Sequence, residues 1–80
     1  MKLPRDLDGR ELAIRLGVLG YIQDWQSGSH IICTTQTGGK HRLSIPDHAP
    51  LKAGTLSGIL SKIESHFEIS REALLRKLGF

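Results

Sequence analysis

Cysteine occurs once in the 80 residues, as Cys33. One thiol builds neither an intrachain disulfide framework nor a tetrahedral cysteine zinc site, and it suits a reducing compartment. No apolar run approaches the ~20 residues of a membrane helix. The opening Met1-Lys2-Leu3-Pro4-Arg5-Asp6 lacks the apolar stretch of a secretion signal. A soluble, cytoplasmic protein with no membrane partner is expected. Internal repeats, low-complexity tracts, a glycine-rich phosphate loop, a Ser-His-Asp order and a carboxylate pair are also missing. Length allows one domain over residues 1–80 and excludes a multi-site enzyme. It also excludes a deep pocket enclosed by one chain, because a domain this small buries only about 60–65% of its surface.

What is present reads as globular. Hydrophobic residues make up 39%, charged residues 24%, and nine glycines punctuate the chain. Lys and Arg number 11 against eight Asp and Glu, a net charge of +3. That excess is compatible with a phosphate-bearing partner without requiring one.

The spacing predicts a helix over Gly9 to Leu19. Asp8 is placed as its N-cap, Glu11 three residues on completes a capping-box pattern, and Leu7 with Leu12 suits a hydrophobic staple. Leu12, Leu16 and Leu19 form the apolar face, and Gly20 is placed to end the helix left-handed. Ile14 and Val18 form a second stripe that needs a later helix or a partner to cover it. Three strands follow: Tyr21 to Gln26, His30 to Thr35, and His41 to Ile45, with Pro46 stopping the ladder. Ser27-Gly28-Ser29 and Thr37-Gly38-Gly39-Lys40 are the turns, which makes an antiparallel meander. After a loop from Asp47 to Gly54, Thr55 is expected to cap a second helix carrying Leu56, Ile59, Leu60, Ile63 and Phe67 on one face. Ser70 is expected to cap a short final helix with Leu74, Leu75 and Leu78. The class is α+β with two layers, and the double-stranded-RNA-binding domain has the same order of elements.

Four histidines are the main candidates for chemistry. His30 stands at a turn-to-strand boundary after Gly28-Ser29, where a substrate backbone can come close, and a neutral imidazole is a workable general base at neutral pH. Its sheet face stays open: His30, Ile32 and Thr34 share one side and Ile31, Cys33 and Thr35 the other, and both rows suit a core. His41 leads a strand whose companions Leu43 and Ile45 look buried, so a rim position is favoured. His48 lies in the loop between Pro46 and Pro50. His66 lies off the apolar stripe near a helix C-terminus, where the helix dipole accounts for it. No two histidines stand at i, i+4 and no acidic cluster joins them, so no metal ligands and no cofactor are assigned. Lys52, Gly54 and Thr55 put a cation and free N–H groups at a helix start, which is an anion site or simple capping by Thr55. Tyr21 and Trp25 suit base stacking if open, and at least one is expected in the core. Cys33 reads as a small hydrophobe.

Several of these segments together carry a resemblance. They are Lys2-Leu3-Pro4-Arg5-Asp6-Leu7 with Gly9, Gly20-Tyr21, Gly28-Ser29-His30, Ile45-Pro46-x-His48, and Leu51-x-x-Gly54-Thr55-Leu56-x-x-Ile59-Leu60. In order and spacing, from Met1 to Ile63, the chain resembles HicA-type toxins. The resemblance implies a double-stranded-RNA-binding-domain-like fold and a type II toxin–antitoxin toxin that cleaves mRNA, with a HicB-type antitoxin as partner. It assigns catalysis to the histidine of Gly-Ser-His, here His30. Ser29, His48 and His41 are the candidates to assist, with His48 first and His41 second as general acid. Lys52, Gly54, Thr55, Arg42 and Lys40 are the candidate phosphate contacts. The chain departs from compact members over Ser61 to Ile69, where the second helix runs longer, and this concerns the antitoxin-binding surface rather than the Gly28–His30 region. Two rivals remain: a non-catalytic RNA-binding module on the same fold, and a protein-interaction subunit that docks through Ile14 and Val18.

Overall fold

Two glycine turns and one bulge shape the sheet. The computed structural model describes residues 3–80; Met1 and Lys2, the latter part of the opening motif, lie outside the described residues. Strands β1 (Ile22–Ser27), β2 (His30–Thr35) and β3 (His41–Pro46) form an antiparallel sheet in the order β1-β2-β3. Gly28, Gly38 and Gly39 in the connecting turns all have positive φ, which glycine adopts at little cost. Pairing reaches one residue beyond the expected end of β3, with Pro46 opposite His30.

The alternation expected for Tyr21, Gln23 and Trp25 is broken. The register shifts between Gln23 and Trp25, so Asp24 is an extra residue in β1. Such a bulge turns every following side chain to the other face. Gln23 pairs with core-facing Cys33, whereas Trp25 pairs with Ile32 on the outer face. Tyr21 is buried in the core and Trp25 is 48% exposed. On the outer face the Arg42 guanidinium lies 4.9 Å from the Trp25 ring centre, and Thr34 Oγ1 donates to Asp24 Oδ2 at 2.8 Å. These residues flank the central strand, and Ile32 and Thr34 are buried as a result.

The first helix is shorter than its pattern suggested. Helix α1 spans Gly9–Arg15, and a 3-10 turn over Leu16–Leu19 leads to Gly20 at φ 86. Tertiary bonds explain the tightening: Thr35 Oγ1 donates to the Leu19 carbonyl at 3.0 Å, and Tyr21 N–H donates to Leu16 O at 3.3 Å. Asp8 occupies the N-cap position, but Glu11 accepts from Arg15 Nε at 3.3 Å rather than closing a capping box. Helix α2 spans Ala53–Phe67, with Lys52 at its N-cap position. The expectation that Thr55 caps this helix is corrected: Leu56 N–H donates to Lys52 O at 2.9 Å, which places Thr55 inside the first turn. Helix α3 spans Arg71–Lys77, and Ser70 caps it by accepting from Ala73 N–H at 3.1 Å.

Both layers share one core. Leu12 and Leu16 from the first helical segment, Ile31, Cys33, Leu43 and Ile45 from the sheet, and Leu56, Leu60, Ile63 and Leu74 from the later helices are all fully or nearly fully buried. Burial raises the Cys33 thiol pKa, as expected of a packed small hydrophobe. Arg15 joins the C-terminal segment to α1: its Nη1 donates to Leu78 O at 2.7 Å, and its guanidinium lies 4.2 Å over the Phe80 ring. Ile14 and Val18 stay open at 65% exposure each, so α2 and α3 leave that stripe uncovered. The helix–sheet–helix arrangement is that of a double-stranded-RNA-binding-like α+β domain. No helix among the described residues is long and apolar enough to cross a membrane.

Candidate active site

At one end of the sheet the start of β2 meets the end of β3 and the first turn of α2. Between them lies a cleft of about 260 Å³ lined by His30, Pro46, His48, Pro50, Leu51, Lys52 and Thr55. The hairpin places His30 here, since it is the first residue of β2 and stands opposite Pro46. The β3–α2 loop supplies His48 and Lys52. Because the first helical bond of α2 comes from Leu56 N–H, the amides of Ala53, Gly54 and Thr55 precede the helix ladder. With Lys52 beside them, these dipoles favour an anion at the cleft edge. A side chain at Gly54 would project into open space among the described residues, so an approaching phosphate would meet little obstruction there.

The loop is tied to α1 as well as to the sheet. Gly9 N–H donates to His48 O at 2.9 Å, and Leu51 N–H donates to Leu7 O at 2.8 Å. A Cβ at Gly9 would stand 1.8 Å from Pro46 O, so only glycine permits this approach. Asp47 N–H donates to Ser29 O at 2.7 Å, which extends the strand pairing past His30. The Asp47 carboxylate accepts from Arg10 Nη2 at 2.8 Å and from Gln26 Nε2 at 3.2 Å. Gln26 Nε2 also donates to Gly28 O at 3.3 Å, inside the turn before His30. The Arg10 bond holds the Asp47 carboxyl below the usual carboxylate range, and Gln26 and the nearby His48 act in the same direction.

The fold thus gathers His30, His48, Lys52 and Thr55, with Gly54 in the same helical turn. Ser29 sits next to His30 in the chain, and its carbonyl holds the Asp47 amide. Three expected contributors go elsewhere. His41 opens β3, five residues from Pro46, roughly 17 Å away at ~3.4 Å per residue. It cannot serve as general acid beside His30. Lys40 precedes it at that same far end, and Arg42 is stacked on Trp25 on the outer sheet face.

His41 belongs instead to an aromatic cluster that the sequence did not reveal. Its Nδ1 is 2.6 Å from Tyr21 Oη, and its ring stacks on His66 with centroids 4.4 Å apart and planes 10° from parallel. His66 Nε2 is 2.9 Å from Thr37 O. Burial, assisted by the charge of His66 and Lys62, lowers the His41 pKa, and burial pushes Tyr21 up to about 12. The cue was the long reach of α2, which brings His66 to the start of β3. Among the described residues no three His, Cys, Asp or Glu side chains gather where they could hold a metal ion.

His30, His48 and Lys52 line one cleft on this two-layer fold, and the family comparison places the chain among toxins of toxin–antitoxin pairs. Residues 9–64 match the family model described as the HicA toxin of bacterial toxin–antitoxin systems, and the chain belongs to that family. The match begins at the first residue of α1 and ends within α2, short of α3. Comparisons with curated proteins and with solved structures give no match.

Proposed function

We propose that the protein is an mRNA-cleaving endoribonuclease that uses His30 as general base, acts without a metal, and is neutralised in the cytoplasm by a HicB-type antitoxin. The observation that carries the proposal is the shared cleft: two imidazoles, a lysine and a helix start line one concave surface. Cleavage of RNA through its own ribose hydroxyl needs two proton transfers and an anion holder, and these groups are suited to all three tasks. His30 takes the proton of a 2′-OH, and the oxygen attacks the adjacent phosphorus. The bond from phosphorus to the 5′-oxygen breaks, and His48 protonates the departing oxygen. The products are a 2′,3′-cyclic phosphate and a 5′-OH. Lys52 and the first amides of α2 hold the phosphate charge. General acid–base catalysis of this kind contributes about 10²–10⁴-fold.

The test is His30→Ala. Cleavage and toxicity on expression are expected to vanish while fold and RNA binding persist, because phosphate affinity rests on Lys52 and the helix start. Cleavage at the wild-type rate by the purified variant removes His30 from catalysis and makes a non-catalytic RNA-binding module the better reading. For the antitoxin, the cleft's basic character points to an acidic or mixed-charge partner domain that covers His30. A structure of the complex with His30 open to RNA contradicts that arrangement.

A further inference from the structure

Resting on the ribonuclease reading, we propose that Asp47 is a positioning residue that holds the turn before His30 and the loop carrying His48 in one fixed relation. The residue reaches three parts of the cleft frame. Its amide closes on Ser29 O at 2.7 Å, immediately before His30. Its carboxylate takes Gln26 Nε2 at 3.2 Å, and that same amide group donates to Gly28 O at 3.3 Å inside the turn. Arg10 on α1 donates to the carboxylate at 2.8 Å. The next residue in the chain is His48, whose carbonyl takes the Gly9 amide.

The turn needs such a brace. Gly28 has φ +59, and a side chain there would meet nothing within 4 Å among the described residues, so no packing at that position steadies the turn. Backbone pairing sets Ser27 against His30 at the base of the turn, and the Gln26 side chain adds a bond inside it at Gly28 O. The Asp47 carboxylate joins the turn to α1 through Gln26 on one side and Arg10 on the other. Folding stability is a poor account of this network, because the Arg10 side chain is 65% exposed and ion pairs of that kind add little. Attraction for RNA is a poor account too, since a carboxylate repels a phosphate backbone. Alignment of two imidazoles on one phosphate is what the geometry serves, and misplacement of a reacting group by about 1 Å can cost on the order of 10²-fold in rate.

The experiment compares wild type, His30→Ala, Asp47→Ala and Asp47→Asn on a short RNA, with melting temperatures measured alongside. Asp47→Ala should lower kcat by about 10–100-fold. Its KM should be unchanged or lower, because a repelling charge is gone, and its melting temperature should stay near wild type. Asp47→Asn keeps a side-chain acceptor for Gln26 and Arg10 and should recover most of kcat. Wild-type kcat in Asp47→Ala, or a loss that Asp47→Asn does not recover, overturns the proposal. If the wild type does not cleave RNA, the ribonuclease reading fails instead, and Asp47 is then judged by amide hydrogen exchange. Faster exchange at Gly28 to His30 in Asp47→Ala supports the brace, and unchanged exchange overturns it.

Discussion

Replacing Gly9 by alanine adds one methyl group and should disturb both the fold and the cleft. The new Cβ would lie 1.8 Å from Pro46 O and 3.0 Å from its carbonyl carbon, both backbone atoms that no side-chain rotation can move aside. Relief requires α1 and the end of β3 to separate by more than an ångström. That movement stretches Gly9 N–H to His48 O, now 2.9 Å, and Leu51 N–H to Leu7 O, now 2.8 Å. Overpacking costs about 1–3 kcal/mol, and a weakened hydrogen bond adds about 1 kcal/mol. A total near 3 kcal/mol corresponds to a fall of roughly 12–24 °C in melting temperature for a domain of this size. Circular dichroism melts measure it, with Gly58→Ala as the control. Gly58 lies exposed within α2 and its Cβ would meet nothing within 4 Å among the described residues, so alanine there should stabilise by about 0.5–1 kcal/mol. RNA cleavage by Gly9→Ala should also drop well below the folded fraction, since the loop carrying His48 has moved. A melting temperature for Gly9→Ala within a few degrees of wild type would refute the close approach that frames the cleft.

Other expectations follow from single contacts. Lys52→Ala should weaken RNA binding for all sequences alike and flatten the salt dependence by about 0.7 in log–log slope, as expected for one lost single-strand phosphate contact; an unchanged slope removes Lys52 from the site. The His41 pKa is lowered from 6.5, so the folded state prefers the neutral ring and the unfolded chain binds the proton first. Stability should therefore hold above pH 6.5 and fall as the pH drops through and below that value. Tyr21, His66 and Lys62 face His41, so a urea midpoint at pH 5 lower than at pH 7.5, with a smaller difference in His66→Gln, is the expected pattern; a midpoint that rises on acidification contradicts it.

Much of this architecture was legible because it depends on local rules. The β2 boundaries follow from Gly28-Ser29 and the β-branched run, and the α2 core face follows from Leu56, Leu60 and Ile63, all buried. Ser70 is a cap because its side chain alone decides it. The differences arise where distant residues decide. The start of α2 is set two residues before Thr55 by the extended Leu51 segment bonded to Leu7, which no local pattern encodes. The 3-10 turn depends on Thr35, and the bulge at Asp24 reverses the face of Trp25. At the cleft, His30, His48 and Lys52 stood in recognisable segments. Asp47 stood between Pro46 and His48 with nothing to mark its bonds to Arg10 and Gln26, since those partners lie 37 and 21 residues away. The exclusion of His41 was in principle readable, because the hairpin register pairs it with Thr35, at the opposite end from His30.

The most direct measurement is the chemistry of the cut ends. Wild-type protein is incubated with an RNA that is cleaved at one position, with a chelator present, and with the same RNA carrying a single 2′-deoxy residue there. Attack by the ribose hydroxyl, with His30 as base, predicts a 2′,3′-cyclic phosphate and a 5′-OH from the first substrate and no cut in the second. A 3′-OH with a 5′-phosphate, loss of cleavage on chelation, or cleavage of the deoxy-substituted RNA would contradict the account and point to a metal-activated water as nucleophile.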